Sequence, residues 1–179
     1  MEKKLIVILL ICTLFMGCAS SSGPTPVTED GNFIQNGDFA RFGSEWPNLP
    51  FNWRTTWKGG DGFEPIKTEA GRFIGWAQNI YSFTLFQDIR GLTEGKYNLS
   101  AELRLNPDSE VGDIVMNVYS GSTLAKSRSV RAELLAAPRE TDVLFELTDI
   151  DITGSSARVE FAATNILNYI GIDNVRFSK

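Results

Sequence analysis

YSFTLFQDIRGLTEGKYNLSAELRL, residues Tyr81–Leu105, is the stretch that decides the fold. Phe83, Leu85, Gln87 and Ile89 fall at alternate positions in its first half. Tyr97, Leu99, Ala101, Leu103 and Leu105 alternate with Asn98, Ser100, Glu102 and Arg104 in its second half. That period of two marks half-buried strands, because successive strand side chains point to opposite faces. Gly91 and Gly95 bracket Leu92-Thr93-Glu94, a turn composition, so the stretch reads as a two-stranded ribbon. A ribbon alone is marginal in water and must bury its apolar face in a larger sheet.

The same pattern recurs along the chain. Asn32–Phe39 reads as a short strand with an Asn-Gly turn, Phe51–Trp57 as an aromatic strand, and Gly59–Gly62 as a loop. Phe63–Lys67 and Gly71–Trp76 are strand candidates around a turn. Asp113–Tyr119, Thr123–Glu133, Thr141–Ile150, Ser156–Ala163 and Ile170–Ser178 follow, with a loop or helical turn at Leu134–Pro138. In Ile170–Ser178 the apolar phase changes between Ile172 and Val175, which predicts a bulge at Asp173-Asn174. About ten short strands without a long amphipathic helix predict an all-β, two-sheet sandwich. First and last strands meet in such sandwiches, which brings Asn36-Gly37-Asp38 near Asp173.

Composition narrows the chemistry. The chain has 179 residues, 42% of them apolar, enough for one packed domain. A net charge of -5 without a Lys/Arg cluster argues against nucleic acid. There is no histidine, which removes Ser-His-Asp and Cys-His catalysis and histidine zinc sites. The two cysteines, Cys12 and Cys18, both lie near the N-terminus, leaving the domain without disulfide or thiolate chemistry.

Residues 1–17 read as a signal peptide: Lys3 and Lys4, then an apolar run from Leu5 to Met16 too short to span a bilayer. Leu14–Cys18 resembles the bacterial lipobox, which makes Cys18 the expected lipidation site. Residues 18–31, rich in Ser, Gly, Pro and Thr, read as a flexible tether, and 32–179 as the folded domain. The expectation is a monomer anchored to a membrane of the bacterial cell envelope, facing away from the cytoplasm.

Three landmarks carry a family resemblance: NFIQNGDFA at Asn32–Ala40, FTLFQDIRGLTEGKYNLSAELR at Phe83–Arg104 and YIGIDNVRFS at Tyr169–Ser178. Together they resemble the galactose-binding-like jelly rolls that serve as carbohydrate-binding modules of plant-polysaccharide hydrolases. Trp76, Asn79, Tyr81, Phe83, Phe86, Gln87 and Tyr97 make the galactan-binding module found beside endo-β-1,4-galactanases the nearest likeness. The resemblance implies a non-catalytic sugar-binding role with a polysaccharide or oligosaccharide as partner. It also implies a structural calcium held by Asp173 and Asp38, although this chain has Ala40 where many relatives have Glu.

Sugar recognition needs aromatic platforms and planar polar side chains. The candidates are Trp53, Trp57, Trp76, Tyr81 and Tyr169 as platforms, with Asn79, Arg104, Arg54 and Asn168 as polar partners. The stretch Trp76–Tyr81 is where a sugar is expected. An envelope lipoprotein that binds protein on the same fold is the alternative. A jelly-roll glycoside hydrolase is a further one and needs two carboxylates about 5–10 Å apart. Of the clustered Glu146, Asp149 and Asp151, strand alternation puts the two aspartates on one face and Glu146 on the other.

Overall fold

A computed structural model describes residues 25, 27–28, 31–43, 49–60 and 71–179. The expected strand at Phe63–Lys67, together with Trp46, Cys18 and the signal peptide, lies outside the described residues. The described elements are β1 (Arg54–Gly59), β2 (Phe73–Arg90), β3 (Gly95–Leu105), β4 (Asp113–Ser120), β5 (Thr123–Ser129), α1 (Arg131–Ala136), β6 (Val143–Ile152) and β7 (Ser156–Ser178).

Two strands are far longer than their sequence patterns suggested. The segments Gly71–Trp76 and Tyr81–Ile89 merge into the 18-residue β2, and the last two predicted strands merge into the 23-residue β7. These strands bend, and each serves two layers. Residues 81–90 of β2 pair with 156–166 of β7, while 73–77 pair with 168–172. The register breaks between Ala77 and Tyr81, opposite the positive φ angles of Asn165 (49°) and Asn168 (62°). Asparagine tolerates this left-handed backbone better than most residues. The Tyr81 hydroxyl donates to the Asn168 carbonyl at 2.9 Å and clasps the two bends together.

One hydrogen-bonded sheet thus folds over itself. The first layer runs β1, β2 (81–90), β7 (156–166), β4, β5. The second runs β2 (73–77), β7 (168–178), β3, β6. All strand pairs are antiparallel. This is the two-layer, all-β sandwich that the alternation predicts.

The ribbon reading of Tyr81–Leu105 needs correction. Both strands form, but β2 and β3 do not pair: β2 pairs with β1 and β7, and β3 with β6 and β7. Gly91–Glu94 crosses between layers instead of turning within one. The reason is burial: Phe83, Leu85, Ile89, Tyr97, Leu99, Ala101, Leu103 and Leu105 all enter one core, from opposite sides. The predicted bulge is present. Between Ser100 and Glu102 the β7 partners step from Arg176 to Asp173, with Asn174 at φ 48°.

The N-terminal segment laces the layers together. The Phe33 N–H donates to the Phe177 carbonyl and the Val175 N–H to the Gly37 carbonyl. Asn32 Oδ1 accepts from the N–H groups of Ile34 and Phe177. The buried Gln87 amide grips the backbone of Gln35 twice, accepting at 2.8 Å and donating at 2.9 Å. On the opposite edge, the Lys126 ammonium and the Arg128 guanidinium on β5 donate to the Thr148 and Glu146 carbonyls of β6.

Two stability outcomes follow from these contacts. A Cβ added at Gly37 would lie 2.1 Å from the Val175 carbonyl oxygen, so Gly37→Ala forces the N-terminal segment away from β7. It is expected to cost about 1–3 kcal/mol, roughly 2–12 °C in Tm by calorimetry. Tyr81→Phe leaves the Asn168 carbonyl without its donor and is expected to cost about 1 kcal/mol in urea unfolding, with the far-UV spectrum unchanged.

Candidate functional site

The residues singled out from sequence separate into three places. Trp53 and Tyr81 are core. Trp53 is 5% exposed, packs against Phe39 and Phe161, and donates its indole N–H to the Asn36 carbonyl at 3.1 Å. Burial also pushes the Tyr81 phenol well above its ordinary pKa, so it stays a neutral donor. Neither ring faces solvent.

Trp76, Tyr169 and Arg104 come together on the outer face of the four-stranded layer. Trp76 and Tyr169 are cross-strand partners, and Arg104 lies opposite Gly171 in the next row. Trp76 is 38% exposed, whereas Tyr169 is folded down over Gly171, where a Cβ would meet its hydroxyl at 2.7 Å. Asn79 sits exposed in the bend. Asn168, on the other side of that bend, donates its side-chain amide to the Asp108 carbonyl. Trp57 lies apart from this group, on the edge strand β1 opposite Phe83. Glu146, Asp149 and Asp151 are exposed along β6, and Asp151 pairs with Lys96 at 2.7 Å.

The two expected metal ligands are engaged differently. Asp38 is exposed, lines a groove of about 610 Å³ between residues 28–41 and 174–176, and accepts from the Ala40 N–H. Asp173 is buried, accepts from the Asn174 N–H at 2.7 Å, and faces the Arg72 guanidinium at 3.4 Å. Burial raises its carboxyl pKa, while Asn174 and Arg72 pull the other way. Among the described residues, no three Asp, Glu, His or Cys side chains converge as a metal-binding group.

On the outer face of the five-stranded layer, sequence reasoning reached only Arg54 and Trp57, which lines its depression, and missed the rest. Here the registers align side chains into rows across the strands. One row is Thr56, Thr84, Ala162, Val115 and Ser129. The next is Arg54, Phe86, Glu160, Asn117 and Ser127. A third holds Asp88, Arg158 and Tyr119. Small residues, including Ser82, Thr84 and Ala162, floor a depression of about 210 Å³ beside the aromatic and charged rows.

These rows are cross-braced. Glu160 accepts from the Asn117 amide at 3.1 Å and the Tyr119 hydroxyl at 3.2 Å. Asn117 in turn accepts from Ser127 at 2.8 Å. Arg158 grips Asp88 with two bonds, 2.7 and 3.2 Å, and stacks 4.3 Å from the centre of the Phe86 ring. The Asp88 bond holds the Arg158 guanidinium charged. Burial first, and the Glu160 carboxylate second, push the Tyr119 phenol up, so it remains a donor. The alternation of each strand already showed these residues pointing outward. Which of them share a row is set by register, to which the five strands contribute from distant parts of the chain.

No protein-family model matches this sequence, and no curated protein does. Solved structures do match. TmCBM61, solved with β-1,4-galactotriose, shares 16% identity at a TM-score of 0.59, over 83% of this chain and 98% of that one. A CBM4 module shares 16% at 0.58, over 81% and 98%. The enzymatically active domain of bacteriophage CBA120 tailspike protein 4 shares 19% at 0.53, over 82% of this chain and 21% of that one. At these identities the likeness is one of fold: this chain shares a two-layer β-sandwich with these structures.

Proposed function

We propose that this protein binds carbohydrate without transforming it, and that the sugar chain lies across the outer face of the five-stranded layer. The observation that carries this reading is the pair of braced rows Phe86–Glu160–Asn117 and Asp88–Arg158–Tyr119, beside a floor of small side chains. Sugars offer hydroxyls that donate and accept, and C–H faces that pack on rings. Glu160, Asn117, Arg158 and Tyr119 supply planar or fixed polar partners, and Phe86 and Tyr119 supply apolar area. The carboxylates of Asp88 and Glu160 are both held by neighbours, which suits hydrogen bonding better than acid–base exchange.

The ligand class we favour is a β-linked plant polysaccharide such as β-1,4-galactan. Its support is the sequence resemblance, together with the fold shared with TmCBM61, which was solved with β-1,4-galactotriose. A second face has its own observation in favour: the exposed Trp76 beside Tyr169 and Arg104. We further propose that lipidated Cys18 anchors the domain in the bacterial envelope. Thr25 exchanges two hydrogen bonds with Arg90, one through its hydroxyl, so the tether meets the domain at the end of β2.

Affinity electrophoresis in gels containing galactan, xylan or mixed-linkage β-glucan tests the reading. At least one polymer is expected to retard the wild type. Phe86→Ala and Glu160→Ala should each weaken binding about tenfold or more, roughly 1.4 kcal/mol, while Trp76→Ala leaves it unchanged. The reverse pattern moves the site to the four-stranded layer. No retardation by any polymer refutes carbohydrate binding and leaves the protein-binding envelope lipoprotein.

A further inference from the structure

We propose that the Arg72 guanidinium is the resident cation of the Asp142–Asp173 site, occupying by a side chain the place where the resemblance puts a calcium ion. The domain would then fold and bind its ligand without calcium at this position.

The geometry is that of a built cation site. The Arg72 side chain is 8% exposed. It holds Asp142 in a bidentate grip, Nη1 to Oδ1 at 2.6 Å and Nη2 to Oδ2 at 2.9 Å. The same Nη2 lies 3.4 Å from Oδ2 of Asp173, itself only 8% exposed. A buried carboxylate is costly unless a cation compensates it, and here the compensating charge is covalently part of the chain. Paired donors in a planar fork suit arginine.

Calcium has different requirements: six to eight oxygens at about 2.3–2.6 Å. Asp173 has one oxygen committed to the Asn174 N–H and the other facing Arg72. Asp38 is turned to solvent, with its carboxylate on the Ala40 N–H. Ala40 supplies no side-chain oxygen, although its backbone lies beside Gly71, where a Cβ would come within 3.3 Å of the Ala40 Cα. Ala40 thus brings no carboxylate to this part of the chain, and Arg72, next to Gly71, brings a fixed positive charge to Asp173.

Gly171 makes room for this arrangement. A Cβ there would stand 2.7 Å from the Arg72 Cδ, so this glycine leaves the slot through which the arginine stem passes. Arg72 thereby joins the start of β2, the β7 bulge and the segment leading into β6.

Thermal unfolding of the full chain in EDTA and in excess calcium tests the proposal, because an ion bound to the native state raises Tm by mass action. The wild-type Tm is expected to be the same in both, within about 1 °C. Arg72→Met, which keeps the stem and removes the charge, should lower Tm by roughly 5–10 °C. Adding Asp173→Asn should restore a good part of that loss, since the deficit is an uncompensated buried carboxylate. A calcium-dependent rise in wild-type Tm that Asp173→Asn abolishes overturns the proposal, as does an Arg72→Met protein as stable as the wild type. A rise that survives Asp173→Asn belongs to an ion elsewhere and leaves Arg72 as the cation of this site. Should Arg72→Met fail to fold, the comparison of wild type with Asp173→Asn in EDTA and calcium decides alone. None of these readouts involves sugar binding, so the result is independent of the proposed ligand.

Discussion

The structure depends on two strands that each belong to both layers. Because β2 and β7 keep pairing with each other on both sides of their bends, the hydrogen-bond ladder is carried from one layer to the other. The layers cannot slide independently, since any shift in one would break register in the other. Everything else hangs from this pair. The two strands supply Phe73, Phe83, Leu85 and Ile89, and Val159, Phe161, Ile170, Ile172 and Phe177, to the same core. The polar clasps, from Tyr81 to Asn168 and from Gln87 to Gln35, stand where the chain leaves regular pairing and backbone groups would otherwise lose partners.

This arrangement explains what could be read from sequence. Strand existence was legible for β1 to β7, because burying one face imposes a period of two, whereas the strand expected at Asn32–Phe39 is an irregular segment. The bulge near Asp173 was legible because the apolar phase slips there. Pairing was not legible. Phe83–Ile89 and Tyr97–Leu105 alternate as a hairpin would, yet they lie in opposite layers, and both arrangements bury the same residues. Nor could the alternation show that Trp76 and Tyr81 share one strand. The bend between them holds exposed Gln78, Asn79 and Ile80, which reads as a loop.

The same limit applied to the candidate site. Tryptophans attract attention as sugar platforms, but Trp53 points inward from just before β1, where the chain closes over Phe39 and Phe161. Phe86, Glu160, Asn117 and Tyr119 become neighbours only through the β2–β7–β4 register. A single sequence states each as an outward residue and says nothing of their adjacency. Trp76, Tyr169 and Arg104 were found individually, and the structure does gather them, on the other layer.

The two outer faces are built for different work. On the four-stranded layer, Arg72 is almost wholly buried over Gly171 and ties three chain segments together, so its charges are spent on closure. On the five-stranded layer Asp88, Arg158 and Glu160 are only partly covered, and each of these three is fixed by a neighbour on the same surface. Fixing matters for weak ligands. A sugar binding to flexible arginine, glutamate and asparagine side chains would have to freeze each of them, at about 0.5–1.5 kcal/mol apiece. Here the network has already frozen them during folding, and a ligand needs only to complete bonds whose directions are set. A shallow surface with low intrinsic affinity gains most from such preorganisation. Preorganisation therefore favours the face with the braced rows over the four-stranded layer, where the exposed Trp76 and Leu144 side chains stand without a network of shared bonds like that around Glu160 and Arg158.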